Sequence, residues 1–330
     1  MDEDSGLISP KSEESDQARS DRRVSVVIPV YNAAEFIGEA LESVFNQDYP
    51  DIEVIVVDDG STDETATVLS GITDPRLRVL RQKNGGVSAA RNRGIQDCKS
   101  SKIFLFDADD RLYPQAVSRL VACFDQDPSI VLAYGEAITF NDTEGPLNDA
   151  GPPEFAARPQ GDALEQMVQA NPISCCAVMV CRQAIEATGG FDTRISLGED
   201  WLMWCKLAAQ GRIAYAGASP IVLYRIHSGS AARRLAKDLR AMWPAIECVF
   251  ALPEVLERFP VDVRVRLRRR AEATALAFAG RELLKDRRWQ AARQAFWGTL
   301  VRQPTRIGEW ILLSCALINI LPNQIRRRIK

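Results

Sequence analysis

Three carboxylates close an apolar run in "IFLFDADDRL", residues 103–112: Asp107, Asp109 and Asp110 follow four residues with no polar group. Like charges at this spacing repel unless something positive sits among them. On an extended segment, residues two apart point the same way. Asp107 and Asp109 can therefore face one cation, with Asp110 turned aside or reaching in through a turn. Carboxylate oxygens are hard ligands that suit Mg2+ or Mn2+ better than zinc. A turn and helix cap ahead of Pro114 would account for one such acid, but three after a fully apolar strand favour a metal carrying a phosphate-bearing ligand. A second acidic cluster, Asp58 and Asp59, ends "EVIVVDDGS" (53–61), where Asp, Gly and Ser also serve as turn and cap residues. A third pair, Glu199 and Asp200, opens "EDWLMWCKLAAQG". There Asp200 reads equally well as a helix N-cap or as a proton acceptor. Arg91 and Arg93 lie at a glycine-led helix start, fit to neutralise phosphate or to face solvent. His227, the only histidine, lies in "LYRIHSGS".

The elements that must position these groups alternate. "VSVVIPV" (24–30) and "EVIVV" read as strands buried on both faces. Between them Phe36, Ile37, Ala40, Leu41, Val44 and Phe45 fall at helical spacing, with Asn32 as the expected cap. Further strands are expected at "RLRVLRQ", "KIFLF", "IVLAYGEAITF", "CCAVMVC", "IAYAG" and "IVLYRIH", with helices between most of them and Pro114 opening one. This alternation predicts an α/β fold with a mostly parallel sheet flanked by helices. Such sheets bind ligands beyond the carboxyl ends of their strands, where the acids lie. Residues 141–172 are loop-like, and Trp201 and Trp204, three apart on one helix, read as core. "AEATALAFAGRELLKDRRWQAARQAFWGTLVRQP" reads as a single helical hairpin.

Charge divides the chain. Residues 231–330 hold 21 Lys/Arg against 9 Asp/Glu, and the first 230 hold 20 against 35. The basic region implies an anionic partner. "IGEWILLSCALINIL" (307–321), followed by "RRRIK", is too short to span a bilayer. Two readings stand for it: a helix lying in an anionic membrane surface, or a core helix packed on the hairpin. The eight cysteines show no CxxC pairing, which fits a reducing compartment. The polar, charged N-terminus lacks a signal-peptide pattern and reads as a disordered leader, residues 1–23. Residues 24–230 then form the α/β domain and 231–330 a helical extension.

Together, "VSVVIPVYNAAEFIGEALESVFNQ", "EVIVVDDGSTDET", "NGGVSAARNRGI", "FLFDADD" and "GGFDTRISLGEDWLMWCKLAAQG" resemble a family 2 glycosyltransferase over about residues 24–230. The resemblance implies a GT-A fold and an inverting transfer of sugar from a nucleoside-diphosphate donor, UDP-sugars above all, to an acceptor hydroxyl. It implies that Pro29, Tyr31 and Asp59 surround the nucleotide base, with Asp59 accepting from its N–H and Asp58 beside it in the nucleotide pocket. Asp107 would bind ribose and metal, Asp109 metal, and Asp110 would be a further ligand. Arg91 and His227 are placed near the diphosphate, and Asp200 becomes the catalytic base. The implied acceptor is a glycan, a lipid-linked sugar or another hydroxyl, as in cell-envelope polysaccharide synthesis, with no nucleic acid partner. The implied location is the cytoplasm, at the inner membrane face if the C-terminal region docks there. The competing readings are a non-catalytic sugar-nucleotide-binding scaffold and a nucleotidyltransferase, which would want a Gly-rich basic loop where "PVYNAAEF" stands.

Overall fold

The structure, a computed structural model, describes residues 22–142, 145–146, 158–227, 235 and 237–322. Most of the leader, residues 1–21, lies outside them, as does the terminal basic run. The first strand, β1 (Val24–Val30), is buried along its whole length, as is β2 (Ile52–Asp58). Both carry apolar side chains on two faces, and alternate residues enter two separate cores. Val26, Ile28 and Val54 pack on one side of the sheet, while Val27, Ile55 and Val57 pack on the other. Helix α1 (Ile37–Phe45) lies on the first side through Ile37, Ala40, Leu41 and Val44. Helix α3 (Val87–Asp97), which follows α2 (Thr65–Ser70) and β3 (Leu77–Arg81), lies on the second. Gly94 lets α3 approach closely, since a Cβ there would stand 2.4 Å from a methyl of Val27.

The sheet continues through β4 (Lys102–Leu105), β5 (Arg111–Leu112), β6 (Ile130–Asn141), β7 (Gly145–Pro146), β8 (Val178–Cys181) and β9 (Arg212–Arg225). Its order is β3-β2-β1-β4-β8-β6-β9-β5, with β7 attached to β6. The expected parallel character holds for β3, β2, β1 and β4, which are joined by helical crossovers. The other half is mixed. β8 runs antiparallel to both β4 and β6, β9 runs parallel to β6, and β5 runs antiparallel to β9. Among the described residues, the segment before β8 holds the short helix α5 (Leu164–Met167) and a 3-10 turn at Cys175–Ala177. Among the described residues no long helical crossover fixes its direction there. Chain order reverses at β1, which pairs with β2 on one side and β4 on the other. A ligand crevice belongs at that reversal.

Four local expectations change. The stretch 213–217 and most of 221–227, up to Arg225, belong to one 14-residue strand, β9. "CCAVMVC" is part 3-10 turn, part strand. Pro114 lies ahead of α4 (Ala116–Gln126) rather than inside it. Asn32 does not cap α1: it sits at φ 51°, and its side chain reaches across to the 61–63 loop instead.

After β8 come α6 (Arg182–Ala187) and α7 (Glu199–Gln210). The C-terminal region folds into α8 (Trp243–Phe250), α9 (Pro253–Arg258), α10 (Val261–Lys285), α11 (Trp289–Arg302) and α12 (Ile307–Leu317). α10 and α11 form the predicted hairpin, drawn together at Gly280, where a Cβ would meet the Phe296 ring at 2.7 Å. The sheet's core runs on into this region through Ala245, Val249, Val255, Leu267 and Ala271. A separate core of Leu283, Phe296, Leu300 and Leu313 holds the distal half of α10 to α11 and α12.

Candidate active site

A cleft of about 1290 Å³ opens at the carboxyl ends of β1 and β4. Pro29 and Tyr31 line it from the end of β1, with Tyr31 half exposed at 49%. The turn after β1 is tied to the loop after β2. Asn32 Oδ1 accepts from Thr62 N at 2.7 Å, Asn32 N donates to Ser61 Oγ at 3.0 Å, and Ala33 N donates to Thr65 Oγ1 at 3.0 Å.

Asp58 and Asp59 serve these loops. Asp58 Oδ1 accepts from Ser61 N at 2.8 Å, and its other oxygen lies 3.4 Å from Arg81 Nε. Asp59 accepts from Gln82 Nε2, Gly85 N and Gly86 N at 2.8–2.9 Å. Both are buried, and neither is among the residues that line the cleft. Their carboxylates fasten the turn after β2 to the loop that starts α3.

Asp107 and Asp109 do line the cleft. Arg91, buried on α3, donates from Nη2 to Asp107 Oδ1 at 2.9 Å and from Nη1 to Glu199 Oε1 at 3.0 Å. Its guanidinium carbon stands 5.5 Å from the Phe191 ring centre. One arginine thus joins the turn after β4 to the first turn of α7. Arg93 faces solvent. Burial and the neighbouring Asp109 charge raise the Asp107 carboxyl above the usual range, with Arg91 opposing.

Asp109 Oδ2 lies 2.8 Å from His227 Nε2, and the imidazole stands 4.9 Å from the Phe36 ring. Asp110 turns aside. It is buried, its Oδ1 accepts from Arg225 N at 2.8 Å, and its Oδ2, near the Cys176 thiol, has no hydrogen-bond partner among the described residues. Burial, with the charges of Asp109 and Asp107, pushes its carboxyl far above the usual range. Ligand atoms of Asp107, Asp110 and Cys176 lie within 4.8 Å of one another. That set mixes hard oxygens with a soft thiol that burial holds protonated, so it suits Mg2+ or Mn2+ poorly. The oxygen-only pair on the cleft wall, Asp107 and Asp109, is the better donor set.

Asp200 sits in the first turn of α7 behind Gly198, which occupies the cap position at φ 86°. It is therefore not the N-cap. Its Oδ1 accepts from Trp201 N at 2.7 Å and its Oδ2 from Asn171 Nδ2 at 2.9 Å, and it lines the cleft. Burial, then the charge of Glu199, pushes its carboxyl up to about 7. Some of Asp200 still reaches solvent through the cleft mouth. Two hydrogen bonds leave lone pairs on a carboxylate, so it can still accept a proton. Trp201 and Trp204 are buried as expected. Trp201 also borders the cleft, with its indole N–H on Met167 O at 2.6 Å.

Three contributors escaped the sequence reading. Arg225, buried at the end of β9, donates from Nε to Asp109 O at 2.7 Å and pairs with Glu39 at 2.5 Å. It lies between the rings of Phe36 and Phe140, 4.9 and 4.6 Å from their centres. Its place two residues before His227 was the available signal. Asn171 sat in a stretch readable only as loop. Thr274, Ala275 and Phe278 of α10 close one wall of the cleft from a region with no recognisable site pattern.

Residues 25–186 match the family model described as Glycosyl transferase family 2. That stretch is a family 2 glycosyltransferase domain. A chondroitin synthase of Escherichia coli is 33% identical over 192 residues, 57% of this chain and 27% of that protein. An uncharacterized glycosyltransferase of Rickettsia prowazekii is 28% identical over 206 residues, 62% of this chain and 64% of that protein. The chain spans between 19% and 32% of the length of several other curated relatives it matches. Among solved structures, Staphylococcus aureus TarS 1-349 in complex with UDP-GlcNAc superposes with a TM-score of 0.62. That match is at 16% identity and covers 93% of this chain and 88% of that one. The mannosyltransferase PcManGT of Pyrobaculum calidifontis, in complex with GDP-Man and Mn2+, gives 0.57 at 21%, covering 91% and 87%. These likenesses establish the fold: a mixed, curled GT-A-type sheet flanked by helices, with helices at the C-terminus. The family match ends before α7, so Asp200 and His227 rest on the geometry above.

Proposed function

We propose that this chain is an inverting, metal-assisted glycosyltransferase that moves a sugar from a nucleoside-diphosphate donor, a UDP-sugar by preference, to an acceptor hydroxyl. The observation that carries the proposal is the arrangement of one cleft. Asp107 and Asp109 stand on the wall after β4, Asp200 on the wall formed by α7, and Arg91 braces both. Pro29 and Tyr31 border the nucleotide end, and His227 adjoins Asp109 near the diphosphate. Asp58 and Asp59 shape that end through the loops they fasten. TarS in complex with UDP-GlcNAc and PcManGT in complex with GDP-Man support a nucleotide-sugar donor for this fold.

A sugar hydroxyl is a weak nucleophile, so a positioned carboxylate must take its proton as it attacks the anomeric carbon. Asp200 does this. Asn171 and the Trp201 amide fix its two oxygens, and a carboxyl balanced near 7 is well matched to proton transfer at neutral pH. One base and one cation suffice for a single displacement, which inverts the anomeric centre. Asp107 and Asp109 would hold Mg2+ or Mn2+, as a neighbour with Mn2+ supports, and the cation when bound neutralises charge on the leaving diphosphate. Arg91 pairs through its two Nη atoms with Glu199 and Asp107, its buried Nε having no hydrogen-bond partner among the described residues, and acts by holding the two acids in place. The chondroitin synthase relatives support a glycan acceptor.

Asp109→Asn tests the metal assignment. The amide can still meet His227, but a ligand charge is gone. UDP affinity measured by calorimetry in Mn2+ should fall at least about 10-fold, the lower range for disturbing a metal site. Affinity in EDTA should not change. Unchanged affinity in Mn2+ would remove Asp109 from the metal site.

A further inference from the structure

α12 carries large apolar side chains on its exposed face as well as apolar ones on its buried face. Its inward positions are Glu309, Leu313 and Ala316, with the glutamate ion-paired to Arg281. Its outward positions, Ile307, Trp310, Ile311, Leu317 and Ile318, are large and apolar, and Ile307, Ile311 and Ile318 are 75, 58 and 65% exposed. A helix packed only against its own protein in water would carry polar residues on that outward face. The apolar face continues beyond α12. The Trp310 indole N–H is held by Pro304 O at 2.9 Å, and Pro304 borders a groove between Val265 of α10 and Val301 of α11, both exposed. Trp297, also exposed, lies one turn before Val301.

Cations stand in the same groove. Arg266, Arg269, Arg270 and Arg302 line it with Asp262 as the one acid. Arg302 is committed to Glu272, and Arg270 to Gln169. Arg266 and Arg269 are exposed and have no protein partner among the described residues. Arg293 reaches back to the carbonyls that end α12. Arg326, Arg327, Arg328 and Lys330 follow in the sequence, outside the described residues.

We propose that this face, formed by Trp297, Val301, Ile307, Trp310 and Ile311 with Arg266 and Arg269 beside them, docks onto an anionic lipid surface. Apolar side chains enter the acyl boundary while arginines meet the headgroup charges. Tryptophan, apolar in body with a polar edge, suits that boundary. No described helix is long and apolar enough to cross a membrane, so the contact is peripheral. A second copy of the chain is the weaker occupant, because a symmetric contact would bring the same unpaired arginines towards each other. Docking also places the active cleft. Val265 on this face and Ala271 on the cleft wall are six residues apart on α10, about 9 Å along its axis.

Vesicle sedimentation of the full chain tests this without any donor or turnover, so its outcome is separate from the transferase reading. Vesicles of phosphatidylcholine with phosphatidylglycerol should pull the protein down, and vesicles of phosphatidylcholine alone should do so at least about 10-fold less well, since each basic residue near the surface adds to attraction. Ile307→Glu/Ile311→Glu and, separately, Arg266→Glu/Arg269→Glu should each reduce sedimentation at least about 10-fold. These positions are exposed, so circular dichroism melts should match the parent. Failure of the parent to bind the anionic vesicles, or full binding by both variants, overturns the proposal. So does self-association in light scattering that Ile307→Glu/Ile311→Glu abolishes while lipid binding is absent.

Discussion

Asp200→Asn should leave nucleotide affinity within about twofold of the parent while transfer falls by about 10²–10⁴-fold, the usual range for losing a general base. Asparagine has nearly the same shape. It can still accept from the Trp201 amide and meet Asn171 through its own amide. What it lacks is the capacity to take the acceptor's proton. The pH dependence sharpens the test. Burial holds the parent's Asp200 carboxyl at about 7, and only the ionised form is a base, so transfer should rise with pH through about 7 and then level off. The stability sign runs the other way. A carboxyl whose folded pKa lies above its unfolded value holds its proton more tightly in the fold. Stability is therefore lost as pH rises from about 4 through about 7. Asparagine has no proton to lose, so the variant's melting temperature relative to the parent should be higher at pH 8 than at pH 5. Near-normal transfer by the variant would sink the assignment. Glu199 would then be the next carboxylate to consider, although its bond to Arg91 argues against it.

Arg91→Met should produce the largest loss of stability. Methionine keeps much of the apolar stem but removes the charge between Asp107 and Glu199. Removing one partner from a buried ion pair costs about 3–5 kcal/mol, because the other charges remain without compensation. Chemical denaturation should show a midpoint lowered accordingly. Transfer should fall even where the fold survives, since the turn after β4 and the start of α7 lose their common anchor. Arg91→Lys keeps the charge but cannot reach both acids with a planar fork, so it should recover part of the stability and little of the activity. A denaturation midpoint for Arg91→Met equal to the parent's would show that the bridge contributes nothing.

The chemistry-bearing acids were legible because acids directly after buried strands are rare without a reason. "FLFDADD" accordingly places Asp107 and Asp109 on the cleft wall. The parallel half of the sheet was legible because strands buried on both faces read as unbroken apolar runs. The mixed half was not, because strand direction after a loop depends on a partner far away in sequence. The same distance hid Arg225, whose contacts with Glu39 and the Asp109 carbonyl join residues 186 and 116 positions apart. Asp58 and Asp59 show the complementary limit. Residue type marked them as important, yet only the fold shows their oxygens turned to the 61 and 82–86 loops. For α12 the apolar composition was plain, but which side of the helix faced outward was not.

Glycosyl transfer by a single displacement that needs a divalent cation is the claim on which the account depends. Its most direct test incubates the parent chain with a panel of UDP- and GDP-sugars in Mn2+ and in EDTA. The readouts are nucleoside diphosphate released and, by proton NMR, the configuration of the sugar product. The account predicts that at least one donor, a UDP-sugar first, is consumed only with the cation and yields the inverted anomer. Turnover indifferent to EDTA, a retained anomer, or no turnover of any donor would contradict it.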